Sequence, residues 1–126
     1  MIGRGTSDQT ALDAMRHFSK LRIEGSEVPI QGSGTGFFAG GRPTVDELLG
    51  AAESSGVKTV VVQPHLLFEG ELIEQLRQKV ETLRIRNPSQ RWLVTMPLGS
   101  DTALAETFLA LATGKTREIA AIGDML

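Results

Sequence analysis

The chain has 126 residues, of which 40% are hydrophobic and 22% are charged. This length and composition are typical of one soluble globular domain, so residues 1–126 are expected to form a single domain. A formal net charge of -2 excludes an overall basic field for nucleic acid or anionic membrane. Because cysteine is absent, disulfides, thiolate metal sites and cysteine nucleophiles are excluded as well.

The sequence shows no targeting or membrane signal. No apolar run approaches the ~20 residues that cross a bilayer. The first residues, Met1 to Gly5, lack the apolar core of a signal peptide. We therefore expect a cytoplasmic protein that binds neither nucleic acid nor a membrane.

The first part of the chain predicts a short strand, a helix and a second short strand. Ser7 or Asp8 is a helix cap, and Gly25 ends the helix. The apolar positions of this helix are spaced three and four apart: Ala11, Ala14, Met15, Phe18 and Leu21. Only Met1 and Ile2 precede the loop before it, so the first strand is very short or the chain was cut from a longer one. The segment 36–39 is a candidate second strand.

The middle of the chain carries the clearest helix start and the clearest strand. Thr44 and Glu47 have the spacing of a capping box, and Gly56 stops the helix that follows. Its predicted buried stripe is Leu48, Leu49 and Ala52. The run 57–63 is β-branched and almost continuously apolar, which is typical of a parallel strand buried on both faces.

Two further helices and one further strand follow. The first of these helices has its apolar positions at Leu72, Ile73, Leu76, Val80 and Leu83. Residues 92–96 predict a strand, and Asp101 caps a last helix. That helix carries Leu104, Phe108, Leu111 and Ala112, and the tail from Gly114 has no assigned element. Repeated strand–helix units predict a three-layer α/β/α domain with a parallel sheet of about four strands.

Candidate ligand-binding residues follow the predicted strands. Ligands of open parallel sheets bind at the carboxyl ends of the strands. The loops there contain Arg4 and Arg42, together with the hydroxyls of Thr6 and Ser7. Arginine binds carboxylates in a planar, bidentate way, so this edge suits a ligand with several carboxylates. The alternative is that both arginines are solvated loop cations.

Other polar and aromatic residues have simpler interpretations. His65 follows the clearest strand, but one histidine does not make a metal site, and it is equally interpreted as structural. Glu69 and Glu71 open a predicted helix, where carboxylates complement the helix dipole. His17 is expected on the surface of the first helix, and Trp92 and the phenylalanines are expected in the core.

Three glycine motifs do not support a nucleotide cofactor. The run 32–36 (GSGTG) is rich in glycine, but Phe37, directly after it, stands where a dinucleotide fingerprint needs its third glycine. Lys115 and Thr116 look like the end of a phosphate loop, but Leu109 replaces its leading glycine. The loop 3–8 stays open as a phosphate cradle at a helix N-terminus, or as a tight turn with a cap.

Taken together, four segments resemble the sirohydrochlorin cobaltochelatase family. They are 3–8 (GRGTSD), 37–44 (FFAGGRPT), 60–70 (VVVQPHLLFEG) and 97–99 (PLG), and they occur in the family's order. The resemblance implies a chelatase-type α/β/α fold. It also implies an enzyme activity, the insertion of cobalt, or in relatives iron or nickel, into a tetrapyrrole of cobalamin or siroheme synthesis. It also implies a homodimer, or pairing with a second chelatase half, since long members carry two fused halves.

The chain departs from the family at two positions. The family's active half has histidines where this sequence has Arg4 and Leu72. An arginine in the first loop resembles the second, non-metal-binding half of a long member. Neutral imidazole binds divalent ions and accepts protons, whereas arginine stays protonated and leucine does neither.

These departures give the working hypothesis for function. Arg4, Thr6, Ser7 and Arg42 bind the tetrapyrrole, and metal chemistry occurs on a partner half or at a relocated metal site of His65 with Glu71 or Glu69. Two other interpretations stay open: a structural or dimerisation half without a ligand, and a small phosphate-binding α/β domain.

Overall fold

The computed structural model of the protein describes residues 1–114, so Lys115, Thr116 and the rest of the tail lie outside the described residues. Strands and helices alternate along the described part. They are β1 (Ile2–Gly3), α1 (Gln9–Glu24), β2 (Gly36–Phe37), α2 (Val45–Ser54), β3 (Thr59–Val62), β4 (Pro64–His65), α3 (Glu71–Arg86), β5 (Arg91–Val94) and α4 (Thr102–Ala112). Within residues 1–114, no helix combines the length and the apolar character that a membrane crossing requires.

All strand pairings among these elements are parallel. β1 lies between β2 and β4, and β3 pairs with β5. Only Gln63 separates β3 from β4, and its carbonyl accepts a 2.8 Å hydrogen bond from the Ile2 backbone N–H. The continuous segment 59–65 therefore pairs first with β5, through β3, and then with β1, through β4. The result confirms a parallel sheet of about four strands, including the very short first strand.

Helices pack on both faces of this sheet. Ile2 and Gly3 point to opposite faces because side chains alternate along a strand. On the Ile2 side lies the main core, formed by Ile2, Val45, Leu49, Val62, Leu76, Val80, Leu83 and Trp92, which brings in α2 and α3. On the other side, a Cβ built on Gly3 would lie 2.3 Å from the Met15 sulfur, so α1 packs there. This arrangement confirms the predicted α/β/α architecture.

The predicted helix starts are confirmed by their capping bonds. The Asp8 carboxylate accepts from the Thr10 N–H at 2.9 Å, and Asp101 caps α4 in the same way. Thr44 and Glu47 form the reciprocal capping box at the start of α2. These are local contacts between residues two or three apart, which is why sequence spacing alone predicts them.

On the α1 side of the sheet, burial does not follow the apolar positions of the sequence. Leu12 and Ser19 are the buried residues of α1, whereas Phe18 and Leu21 are 49% and 52% exposed. Val61 is 52% exposed, so the run 57–63 is not buried on both faces. α4 likewise has no buried residue.

Some aromatic residues are buried and others are exposed. Trp92 and Phe37 lie in the core as predicted, with 3% and 1% of their surface exposed. Phe18, Phe68 and Phe108 are exposed, which corrects the prediction that the phenylalanines are core residues. His17 lies on the surface of α1 as expected.

Truncating Leu76 tests the core on the Ile2 side. Leu76 is fully buried, so Leu76→Ala is expected to lower the free energy of unfolding by about 2–5 kcal/mol. Ile85→Ala is the control on the same helix, because Ile85 is 74% exposed and its truncation should cost about 0.5 kcal/mol or less. Urea denaturation measures both values, and similar losses for the two variants would contradict this packing.

Candidate functional site

Four loops lie at the carboxyl edge of the sheet. Because the strands are parallel, the loops that follow β1, β2, β4 and β5 emerge at the same edge. We call this edge the rim and define it by residues 4–8, 38–44, 66–70 and 95–101. The rim contains Arg4, Thr6, Ser7 and Arg42, the residues predicted to bind the ligand.

The first two rim loops are joined through their backbones. The N–H of Phe38 donates to the carbonyl of Gly3, and the N–H of Ala39 donates to that of Arg4, both at 3.0 Å. The register continues the pairing of β1 with β2 beyond the strands themselves. The loop of Arg4 therefore lies directly beside the loop of Arg42.

Two glycines allow these loops to approach so closely. Gly5 has a φ of 88°, and a Cβ there would lie 1.7 Å from the Ala39 carbonyl oxygen. Gly40 has a φ of 68°, and a Cβ there would lie 2.4 Å from the Thr6 carbonyl carbon. Both positions combine a left-handed backbone with contact against backbone atoms, so only glycine fits. Each loop thus places its glycine against the other loop.

The two later rim loops are also joined. The N–H of Gly99 donates to the carbonyl of Leu67 at 2.6 Å. The two joined pairs are connected by the sheet, because Gly3 is in register with His65 in the pairing of β1 with β4. The rim is consequently one continuous edge rather than four separate loops.

The predicted substrate-binding side chains are accessible on this rim. The side chain of Arg42 is 83% exposed and lies 3.5 Å from a carboxylate oxygen of Glu47, a loose surface pair that contributes little. Arg4 is exposed and forms no salt bridge with the described residues. Thr6 accepts a 3.1 Å hydrogen bond from the Asp8 N–H, and Ser7 is exposed. Their role in binding a ligand stays a prediction.

His65 stands at the end of β4 and faces α1. Its ring lies against the Phe18 ring, with centroids 5.2 Å apart. Burial, together with the Arg22 guanidinium, lowers the pKa of His65 below its ordinary value of 6.5. The imidazole is therefore neutral at pH 7, which is the form that binds a metal ion.

The carboxylates near His65 have partners of their own. Glu69 forms a bidentate pair with Arg77, with N–O distances of 2.8 and 2.9 Å, and this guanidinium lowers the pKa of Glu69. Glu71 begins α3 and accepts a 3.4 Å hydrogen bond from Gln75. Across residues 1–114, no three His, Asp or Glu side chains are grouped as a metal site. A metal site of His65 with Glu71 stays a prediction.

Beside the first two rim loops lies a cleft that was not predicted. Its volume is about 480 Å³, and it is lined by Gln9, Leu12, Arg16, Gly40, Gly41, Arg42 and Thr44. Gln9 and Arg16 come from α1. No spacing in the sequence identifies them, because they meet the Arg42 loop only through the pairing of β1 with β2.

The contact between the first two loops is tested by adding one methyl group. Gly5→Ala is expected to lower the free energy of unfolding by about 2 kcal/mol or more, since it brings backbone strain and a clash with Ala39 together. Gly32→Ala is the matched control, because nothing lies within 4 Å of a Cβ at Gly32. Thermal and urea denaturation measure both; a Gly5→Ala protein as stable as the control would show that the loops do not meet as described.

Comparison with known proteins agrees with these features. The model of the CbiX family matches residues 1–113. A solved structure, described as a CbiX protein of cobalamin (vitamin B12) biosynthesis from Marinobacter aquaeolei VT8, has the same fold with a TM-score of 0.70. It is 18% identical, and the match covers 90% of this chain and 89% of that chain. A search of curated proteins gave no match. The family match confirms the resemblance that the loop motifs carry, and the chain belongs to the CbiX family of tetrapyrrole chelatases.

Proposed function

We propose that this chain binds a tetrapyrrole on the rim and supports the insertion of a divalent metal, cobalt, into it during cobalamin or siroheme synthesis. Membership of the CbiX family supports the class of reaction. The observation that carries the proposal for this chain is the joining of the first two rim loops at Gly5 and Gly40. That contact sets the loop of Arg4, Thr6 and Ser7 beside the loop of Arg42.

Carboxylate recognition is the chemistry that these side chains supply. Sirohydrochlorin-type tetrapyrroles carry several acetate and propionate groups around the ring. A guanidinium binds a carboxylate through two parallel hydrogen bonds, and the hydroxyls of Thr6 and Ser7 can donate further ones. Arg4 and Arg42 are both accessible, and the loose Glu47 contact leaves Arg42 able to turn toward a ligand.

Metal insertion also requires a group that holds the ion and groups that accept two pyrrole protons. Arg4 stays protonated and Leu72 is apolar, so neither residue supplies this chemistry. We assign it to a partner chain, either a second copy or a histidine-bearing half, or to His65 with Glu71 in this chain. The position of His65 at the end of β4, beside the rim, supports the second assignment.

Pairing with a second chain is part of the proposal. α4 is an apolar helix without a buried residue, and Phe108 and Leu109 on it are 59% and 65% exposed. Exposed apolar surface of this kind marks contact sites. We propose a homodimer, or a complex with a second chelatase half, that covers this helix.

Titration of sirohydrochlorin with the protein, followed by absorbance, tests the binding function. We expect a spectral shift with the wild type and roughly tenfold weaker binding for Arg4→Ala, because a charge-assisted hydrogen bond to a carboxylate is lost. Arg91→Ala is the control, since Arg91 begins β5 at the opposite edge of the sheet.

The same titration separates the other interpretations. A wild-type protein that causes no shift, yet forms a stable complex with a histidine-bearing half, would indicate a structural half. Stabilisation by inorganic phosphate, with no response to the tetrapyrrole, would indicate a phosphate-binding domain at the loop 3–8.

Cobalt titration tests whether His65 and Glu71 form the metal-binding site. If His65 binds the ion, His65→Ala should weaken Co²⁺ binding at least tenfold, and Glu71→Gln should weaken it as well. His17→Ala is the matched control, because His17 is the other of the two histidines and lies on the surface of α1. Isothermal calorimetry measures the affinity, and equal binding by wild type and His65→Ala would remove His65 from the site.

A further inference from the structure

The cleft beside the rim has a cationic lining. Of the seven residues among 1–114 that line it, two are arginines, Arg16 and Arg42, and none is acidic. The carboxylates that pair with these arginines, on Asp13 and Glu47, are not among the lining residues. The charged side chains of the lining are therefore guanidinium groups, although the Asp13 carboxylate lies next to Arg16 outside the lining.

Arg16 is held in one position by three contacts. It donates to the Arg42 carbonyl at 2.7 Å and to the Asp13 carboxylate at 3.1 Å. Its guanidinium carbon also lies 5.3 Å from the centroid of the Phe37 ring, which is a cation–π distance. A guanidinium has five N–H groups, so three remain for a ligand. Because the side chain is already ordered, little conformational entropy is lost on binding.

The other polar groups of the cleft fit the same kind of ligand. The Gln9 amide lines the cleft and donates one hydrogen bond to Asp13 at 2.9 Å, which leaves its second N–H without a partner among residues 1–114. Gly40 and Gly41 form part of the wall without side chains, and the Leu12 side chain provides an apolar surface. A carboxylate at the end of a short alkyl chain matches a wall with apolar and cationic parts.

We propose that this cleft binds one carboxylate side chain of the tetrapyrrole, with Arg16 and Gln9 as ligand contacts that act beside Arg42. This inference rests on the proposed function. Arg42 belongs both to the rim and to the cleft, so a ring on the rim has an acetate or propionate arm within reach of Arg16. Arg16 also orders the Arg42 loop through the Arg42 carbonyl.

The test compares two forms of one tetrapyrrole: the free acid, and the same ring with its carboxylates converted to neutral methyl amides. Absorbance titration gives the Kd of each form for the wild type, Arg16→Gln and Gln9→Glu. Arg16→Gln is expected to weaken binding of the acid roughly tenfold while leaving the amide form unchanged. Gln9→Glu should do the same by repulsion. It places a carboxylate in the first turn of α1, where the helix dipole favours it and offsets its repulsion from Asp13, and thermal denaturation checks that the variant is folded.

Arg84→Gln is the matched control for Arg16. Arg84 pairs with Glu81 three residues away, as Arg16 pairs with Asp13, but it lies on α3 away from the cleft. Its substitution should leave both Kd values unchanged.

The remaining outcomes contradict either the proposed function or the assignment of the cleft. A wild-type protein that binds neither form would reject the proposed function, and the cleft assignment with it. A wild-type protein that binds the acid while Arg16→Gln and Gln9→Glu bind it equally well would reject the cleft alone. If Arg16→Gln weakened acid and amide forms by the same factor, Arg16 would act only through loop shape, and the proposed contact would be wrong.

Discussion

The close approach of two glycine-containing loops is the constraint on which the candidate site depends. Gly5 and Gly40 sit against each other's loop backbones at distances that leave no room for a Cβ. The bonds that join the loops run between backbone groups, from Phe38 and Ala39 to Gly3 and Arg4. Such bonds do not depend on the identity of the side chains. The joining of the two loops therefore does not depend on the side chains of Arg4 and Arg42.

Under the proposed function, the binding of the ring and the metal chemistry fall to different residues. Guanidinium groups on the rim and in the cleft suit the carboxylates at the edge of a tetrapyrrole. The two family positions for imidazole hold Arg4 and Leu72, which neither bind a divalent ion nor accept a proton at neutral pH. His65 is neutral, but its ring packs on Phe18 and no group of three metal-binding side chains forms in residues 1–114. The described chain is thus better equipped to hold a polyacid ring than to deliver an ion.

Much of the fold could be predicted because its signals are local. The caps at Asp8, Thr44 and Asp101 depend on residues two or three positions away, and the core stripe of α3 follows helical spacing. Burial on the α1 side could not be predicted, since Phe18 and Val61 are apolar whether or not another helix covers them. Sequence spacing describes which side chains share a face, but not what lies opposite that face.

The same distinction applies to the candidate site: part of it could be predicted from the sequence and part could not. The rule for parallel sheets predicted that the loops of Arg4 and Arg42 share an edge, and the pairing of β1 with β2 brings these loops together. Arg16 was missed because it lies within a helix, far along the chain from Arg42, and meets its carbonyl only after the sheet has formed. Contacts of this kind depend on register, which no single segment encodes.

The bond between Ala39 and the Arg4 carbonyl has a consequence for how such domains diversify. Position 4 contributes its peptide group to the architecture, while its side chain projects from a frame that other residues hold in place. Imidazole and guanidinium can be exchanged there without rebuilding the turn. One of the two family positions for imidazole can therefore change its side chain while the scaffold around it stays the same.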